Sequence, residues 1–132
     1  MTLIKEFAEW LEDQSVGTVG TDMFISTLPE DVDNCIGLYE TGGPPPNEYV
    51  PIEQPSVQAL VRHQSYSAGR AIAESIFDAC QRQRNFNFPD ENGVAEAGTY
   101  IMVMHPIGDV GYLQRDTNDR HEWSVNIQLK TR

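Results

Sequence analysis

Trp123-Ser124-Val125-Asn126-Ile127-Gln128-Leu129-Lys130 alternates large apolar and polar side chains without a break. Successive residues of a strand point to opposite faces, so a period of two makes a strand with one buried and one wet face. Such a strand belongs to a sheet that covers a core on one side, with helices as the second layer. Reading backwards, Asp116-Thr117-Asn118-Asp119 supplies turn chemistry and a further strand is predicted over residues 110–115. Thr99-Tyr100-Ile101-Met102-Val103-Met104 is apolar on both faces and reads as a buried central strand, stopped by His105-Pro106.

A polar loop over residues 85–97, with Pro89 and Gly93, separates that run from the strongest helical pattern. There Ile72, Ala73, Ile76, Phe77 and Cys80 recur at helical spacing within residues 65–82, with Ser65 or Ser67 placed to cap. Before it, Val57, Ala59 and Val61 alternate with Gln58 and Arg62 in a strand over residues 56–63, although Leu60 interrupts the alternation. The stretch Glu40-Thr41-Gly42-Gly43-Pro44-Pro45-Pro46-Asn47-Glu48 loses three backbone donors to proline, so it takes an extended path and cannot be a central strand. Two short strands, Met23-Phe24-Ile25 and Cys35-Ile36-Gly37-Leu38-Tyr39, flank a turn at Leu28-Pro29-Glu30-Asp31. An amphipathic helix over residues 2–13 opens the chain, with Leu3, Ile4, Phe7, Ala8 and Leu11 on one stripe and Thr2 as its cap; Gly17 and Gly20 follow it.

The resulting order, α-β-β-β-α-β-β-β, is that of an α+β fold: a mixed, largely antiparallel sheet packed by two helices. The strand, helix and strand within residues 56–104 cross over right-handed if the strands are parallel. No internal repeat is present, and 132 residues suit a single domain with a Gly/Pro-rich loop at about 40–54.

Composition narrows the function. With 39% hydrophobic and 22% charged residues the chain is globular. No stretch approaches the roughly 18 apolar residues of a membrane span, and no signal peptide is expected. Cys35 and Cys80 sit in apolar surroundings without disulfide or metal spacing, so burial as free thiols in a reducing compartment is expected. The net charge of −11 is uneven: the first sixty residues hold eleven acids and one base, Lys5, whereas the remainder holds nine acids and eight bases. Duplex binding needs several cations on phosphates, which the first half cannot supply, so no specific nucleic-acid partner is expected. An acidic face can still repel passing DNA, or simply keep the chain in solution.

Signatures of catalysis are thin. His63, His105 and His121 lie at or beside strand ends without a ligand spacing, so no metal is expected. Asp31 and Asp33 resemble the start of an oxygen-rich cation loop, but its glycine and closing glutamate are missing and a solvated turn is expected. Gly42-Gly43 leads into prolines rather than a helix, so it makes no phosphate cradle, and no cofactor is implied. Trp123 continues an apolar strand face and is assigned to the core. Trp10, at the edge of the first helix's stripe, is the better interface candidate. The stiff Gly/Pro arm suits a subunit contact, since it loses little entropy on docking; an inert surface loop is the alternative.

Taken in order, Ile36-Gly37-Leu38-Tyr39, Gly42-Gly43-Pro44-Pro45, Pro55-Ser56-Val57-Gln58-Ala59-Leu60-Val61-Arg62 and Arg120-His121-Glu122-Trp123-Ser124-Val125-Asn126 resemble the tail terminator, or minor capsid, proteins of long-tailed bacteriophages. The resemblance spans roughly residues 36–130. It implies a non-enzymatic virion subunit, made in the host cytoplasm, that forms a homo-oligomeric ring, commonly hexameric, on the head-proximal end of the tail tube. There it would stop polymerisation of the tube protein and join the tail to the head-completion or connector protein, with DNA passing through the ring lumen; in such a ring the acidic half of this chain would line that channel or face the next ring. Trp10, Gly43, Pro44, Pro45, Arg62 and Arg120 are the candidate subunit-interface residues, the two arginines as inter-subunit ion pairs or hydrogen bonds. The alternatives are another neck component, such as a head-closure or adaptor protein, and a small enzyme or ligand-binding domain.

Overall fold

The computed structural model describes residues 3–43, 49 and 52–131. Helix α1 (Leu3–Asp13) buries Ile4, Phe7, Ala8, Trp10 and Leu11, the stripe its spacing requires. Strand β1 (Met23–Ile25) runs parallel to β2 (Cys35–Gly42), and β3 (Ser56–His63) pairs antiparallel with β2. Helix α2 (Tyr66–Cys80) starts at Ser65, whose hydroxyl accepts the Ala68 N–H at 3.3 Å, and buries Gly69, Ala73, Ile76 and Cys80. Strands β4 (Gln83–Asn87), β5 (Tyr100–Pro106), β6 (Gly111–Arg115) and β7 (His121–Thr131) complete the chain. The predicted α+β class stands, and so does the predicted order of its elements, with one strand more, β4, directly after α2. Thr2, the predicted cap of the first helix, lies outside the described residues.

The strands form one sheet in the order β1-β2-β3-β7-β5-β4, with β6 also paired to β7. Among the strand pairs of the described residues, β1/β2 is parallel and the rest are antiparallel. β7 is the hub. Along one flank it pairs with β3 from His121 to Gln128; along the other, β6 takes residues 121–124 and β5 takes residues 127–131. Two expectations are corrected here. The apolar run at residues 99–104 is not the centre of the sheet, because β7 holds that place and β5 buries only Ile101 and Met104. The polar stretch after α2 begins as strand β4, whose Phe86 packs on Trp10 at 5.9 Å between ring centres. Since β3 and β5 are both antiparallel to β7, they run parallel to each other with β7 between them.

Both helices share one core cluster with Ile36, Leu38, Val57, Ala59, Val61, Trp123, Val125, Ile127 and Leu129, so they lie on the same face of the sheet. The alternate residues, among them Gln58, Asn126, Gln128 and Lys130, face the other way. The loop at residues 88–99 is tied down through a buried carboxylate: Glu6 of α1 is fully enclosed and accepts the Thr99 N–H at 2.6 Å and its hydroxyl at 3.3 Å. Enclosing a carboxylate requires such donors. Gly98 makes the approach possible, since a Cβ there would stand 2.7 Å from Glu6 Oε1.

Candidate functional site

Residues 26–33 fold back across the face of the sheet that carries no helix core and form a strap over Gly37. A Cβ on Gly37 would meet the Thr27 carbonyl at 2.9 Å and Leu28 Cδ2 at 3.0 Å, so the bare backbone lets the strap lie flat. Two arginines hold it. Arg62, at the end of β3 and 4% exposed, donates through Nη2 to the carbonyls of Pro29 and Val32, the latter at 2.7 Å. Arg120, 2% exposed, donates through Nη1 to the Glu30 carbonyl at 2.8 Å and through Nη2 to Glu30 Oε2 at 3.2 Å. Its Nε meets Asp116 Oδ2 at 2.8 Å, and Asp33 Oδ1 lies 3.6 Å from Nη1.

Burial alone would push the Asp116 carboxyl up; the N–H groups of Arg120 and Asn118 and the Arg120 guanidinium outweigh it and hold the group below the usual carboxylate range. Arg62 and Arg120 are thus both engaged within the chain. Their donors are turned into the chain's own strap, because a strap lying on the sheet offers carbonyls where a neighbour would have to reach.

Trp10, another of the candidate residues, belongs to the chain's own core cluster. Only 7% of it is exposed, and it packs against Phe7, Phe86 and Phe88 with ring centres about 6 Å apart. The phenylalanines of β4 and the segment after it close over the helix edge that the stripe left open. Gly43 sits against the backbone of Gln54, where a Cβ would come within 2.1 Å of the carbonyl oxygen, so it closes the base of the Gly/Pro loop. Pro44 and Pro45 lie outside the described residues.

A surface the sequence reading passed over lies beside the strap. β6 has β7 on one side, and no strand pairs its other edge among the described residues. Tyr112 and Leu113 are exposed on it, Leu113 by 51%, and Tyr66 of α2 packs on Tyr112 with ring centres 5.5 Å apart. Beneath them Trp123 is enclosed by Tyr66, Tyr112 and Gly69, with the Arg70 guanidinium 5.5 Å from its ring centre. The Tyr112 hydroxyl lies 3.0 Å from His121 Nδ1. The adjacent apolar pair Tyr112-Leu113, which breaks the alternation between Gly111 and Gln114, was the available signal. An exposed edge with large apolar side chains is a place where another chain can pair.

Among the described residues no three His, Cys, Asp or Glu side chains gather as a metal site. His63 accepts the Ser65 N–H through Nδ1 at 2.9 Å, and burial lowers its pKa. Cys35 and Cys80 are free and buried, and burial raises both thiols. No helix among the described residues is long and apolar enough to cross a membrane.

No curated protein matches the chain. A family model described as bacteriophage tail terminator protein matches residues 10–132, which takes in the strap, the β6 edge and every strand. A sheet with an arginine-pinned strap and an open edge is thus the form taken here by a phage structural subunit, and the chain belongs to the bacteriophage tail terminator family.

Proposed function

We propose that this terminator closes into a ring on the head-proximal end of the tail tube, ends tube polymerisation there and offers its far side to the head connector. The family match over residues 10–132 carries this reading. Its work is geometric and not catalytic: one heterologous contact, repeated by rotation, closes the ring, commonly with six copies, and the closed ring blocks the next layer of tube subunits. The β6 edge suits that contact, with Leu113 and Tyr112 as its apolar anchors. The acids that crowd the end of α1 suit a lumen along which DNA slides without adhering. Glu9 shows the crowding, its carboxyl pushed up by burial and then by Glu12, Asp13 and Asp90.

Light scattering and negative-stain imaging of the purified protein, with and without isolated tail tubes, test the proposal. The expected result is a ring-sized mass and density at one end of headless tubes. A chain that stays monomeric with tubes present overturns it, and a chain found only on filled heads assigns it to head closure instead.

A further inference from the structure

Charge on the helix-free face of the sheet is sorted along β7. At the His121 end stand Glu30, Asp31, Asp33, Asp116, Asp119 and Glu122 around Arg62, Arg115 and Arg120, an excess of acid. At the other end Arg84, Val103 and Lys130 are register partners across β4, β5 and β7. Lys130 is exposed between buried Leu129 and buried Thr131, so it points away from the core. Arg84 shares that side, because Gln83 beside it turns to the α2 side and donates to the Ala79 carbonyl at 3.0 Å. Among the described residues neither cation has an ion-pair partner. Ten residues of strand separate Arg120 from Lys130, about 33 Å.

We infer that the Arg84–Lys130 row is the docking surface for the acidic strap, residues 30–33, of a second copy of this chain. The inference rests on the ring reading and supplies its polar contact. Unpaired cations at one end of the face and surplus carboxylates at the other are complementary between copies. Because the two poles lie at opposite ends of one strand, the contact is head-to-tail, the kind that closes a ring. The strap is already pinned by Arg62 and Arg120, so docking orders little new chain. Asp31 is exposed and the Glu30 side chain is 86% exposed, so both remain within reach of a neighbour. A nucleic acid is a poorer occupant: the row presents two cations on a chain of net charge −11.

Sedimentation velocity on the full chain, run in low and high salt, tests the contact. Arg84→Glu with Lys130→Glu is expected to raise the dissociation constant of the assembly at least about tenfold while the circular dichroism spectrum is unchanged. Asp31→Arg with Glu30→Gln, which keeps an acceptor for Arg120, is expected to do the same. All four changes in one chain should recover assembly. Should the reversals misfold, Arg84→Ala with Lys130→Ala must weaken assembly and flatten its salt dependence. If the wild type assembles and the Arg84/Lys130 variants assemble equally well, the contact is overturned while the ring stands. If each pair of changes disrupts assembly and the fourfold variant does not recover it, the two surfaces do not face each other. If the wild type never assembles, even on tubes, the ring reading fails first and takes the contact with it. A short DNA duplex that binds the wild type and not the Arg84/Lys130 variants, with assembly unchanged, gives the row to nucleic acid and overturns the proposal.

Discussion

At the His121 end of β7, Arg62 and Arg120 are folded into the chain's own strap, surrounded by carbonyls and carboxylates; at the Lys130 end, Lys130 and Arg84 stand in solvent. The residue types are nearly the same, and their surroundings divide the roles. An enclosed guanidinium has exchanged water for fixed acceptors, so removing it leaves part of the fold unheld. An exposed cation still has its water and is free to exchange it for a neighbour's carboxylate.

The largest test of that contrast is Arg62→Ala, which withdraws the donors from the Pro29 and Val32 carbonyls; a loss of about 3 kcal/mol, read as a fall in Tm of about 10 °C, is expected. Gly37→Ala lifts the strap from below by steric contact with Thr27 and Leu28 and should cost about 2 kcal/mol in urea unfolding. An unchanged midpoint would mean that the strap yields without loss. Acid titration of stability addresses Asp116, whose folded-state pKa is lowered. Its contribution is fully present above the ordinary carboxylate pKa of about 4 and disappears as pH falls through the lowered value, so Asp116→Asn should flatten the acid limb. At the open end, Arg84→Ala and Lys130→Ala should each leave unfolding stability within about 0.5 kcal/mol of wild type. A larger loss at either position would erase the contrast.

Much of this was legible from residue order. The alternation from Trp123 to Leu129 gave β7 its buried face, Ser65 gave α2 its start, and Met23-Phe24-Ile25 stands as β1. These features are local: a period or a cap is written in the residues that form it. Strand β4 was not, because Gln83-Arg84-Asn85-Phe86-Asn87 is mostly polar and becomes a strand only by pairing with β5, with Asn85 at a φ of 53° interrupting its register. Phe86 and Phe88, two residues apart, were its one trace. The destinations of Trp10, Arg62 and Arg120 were hidden for the same reason. Trp10 is covered by residues more than seventy positions later, and the arginines reach acceptors in the strap 30 to 90 positions away. A strand pattern marks Arg62 as facing away from the core and says nothing of a strap laid over that side.

The ribosome delivers β7 after β2, β3, β5 and β6 have all been made, yet β7 is the strand that joins them into one sheet. Until it arrives, β3 lacks its partner on one side and β5 and β6 have no common strand to lie against. Folding must wait for the end of this stretch of translation and then proceed through contacts distant in the chain, so a nascent or truncated product exposes apolar strand edges and is prone to clump.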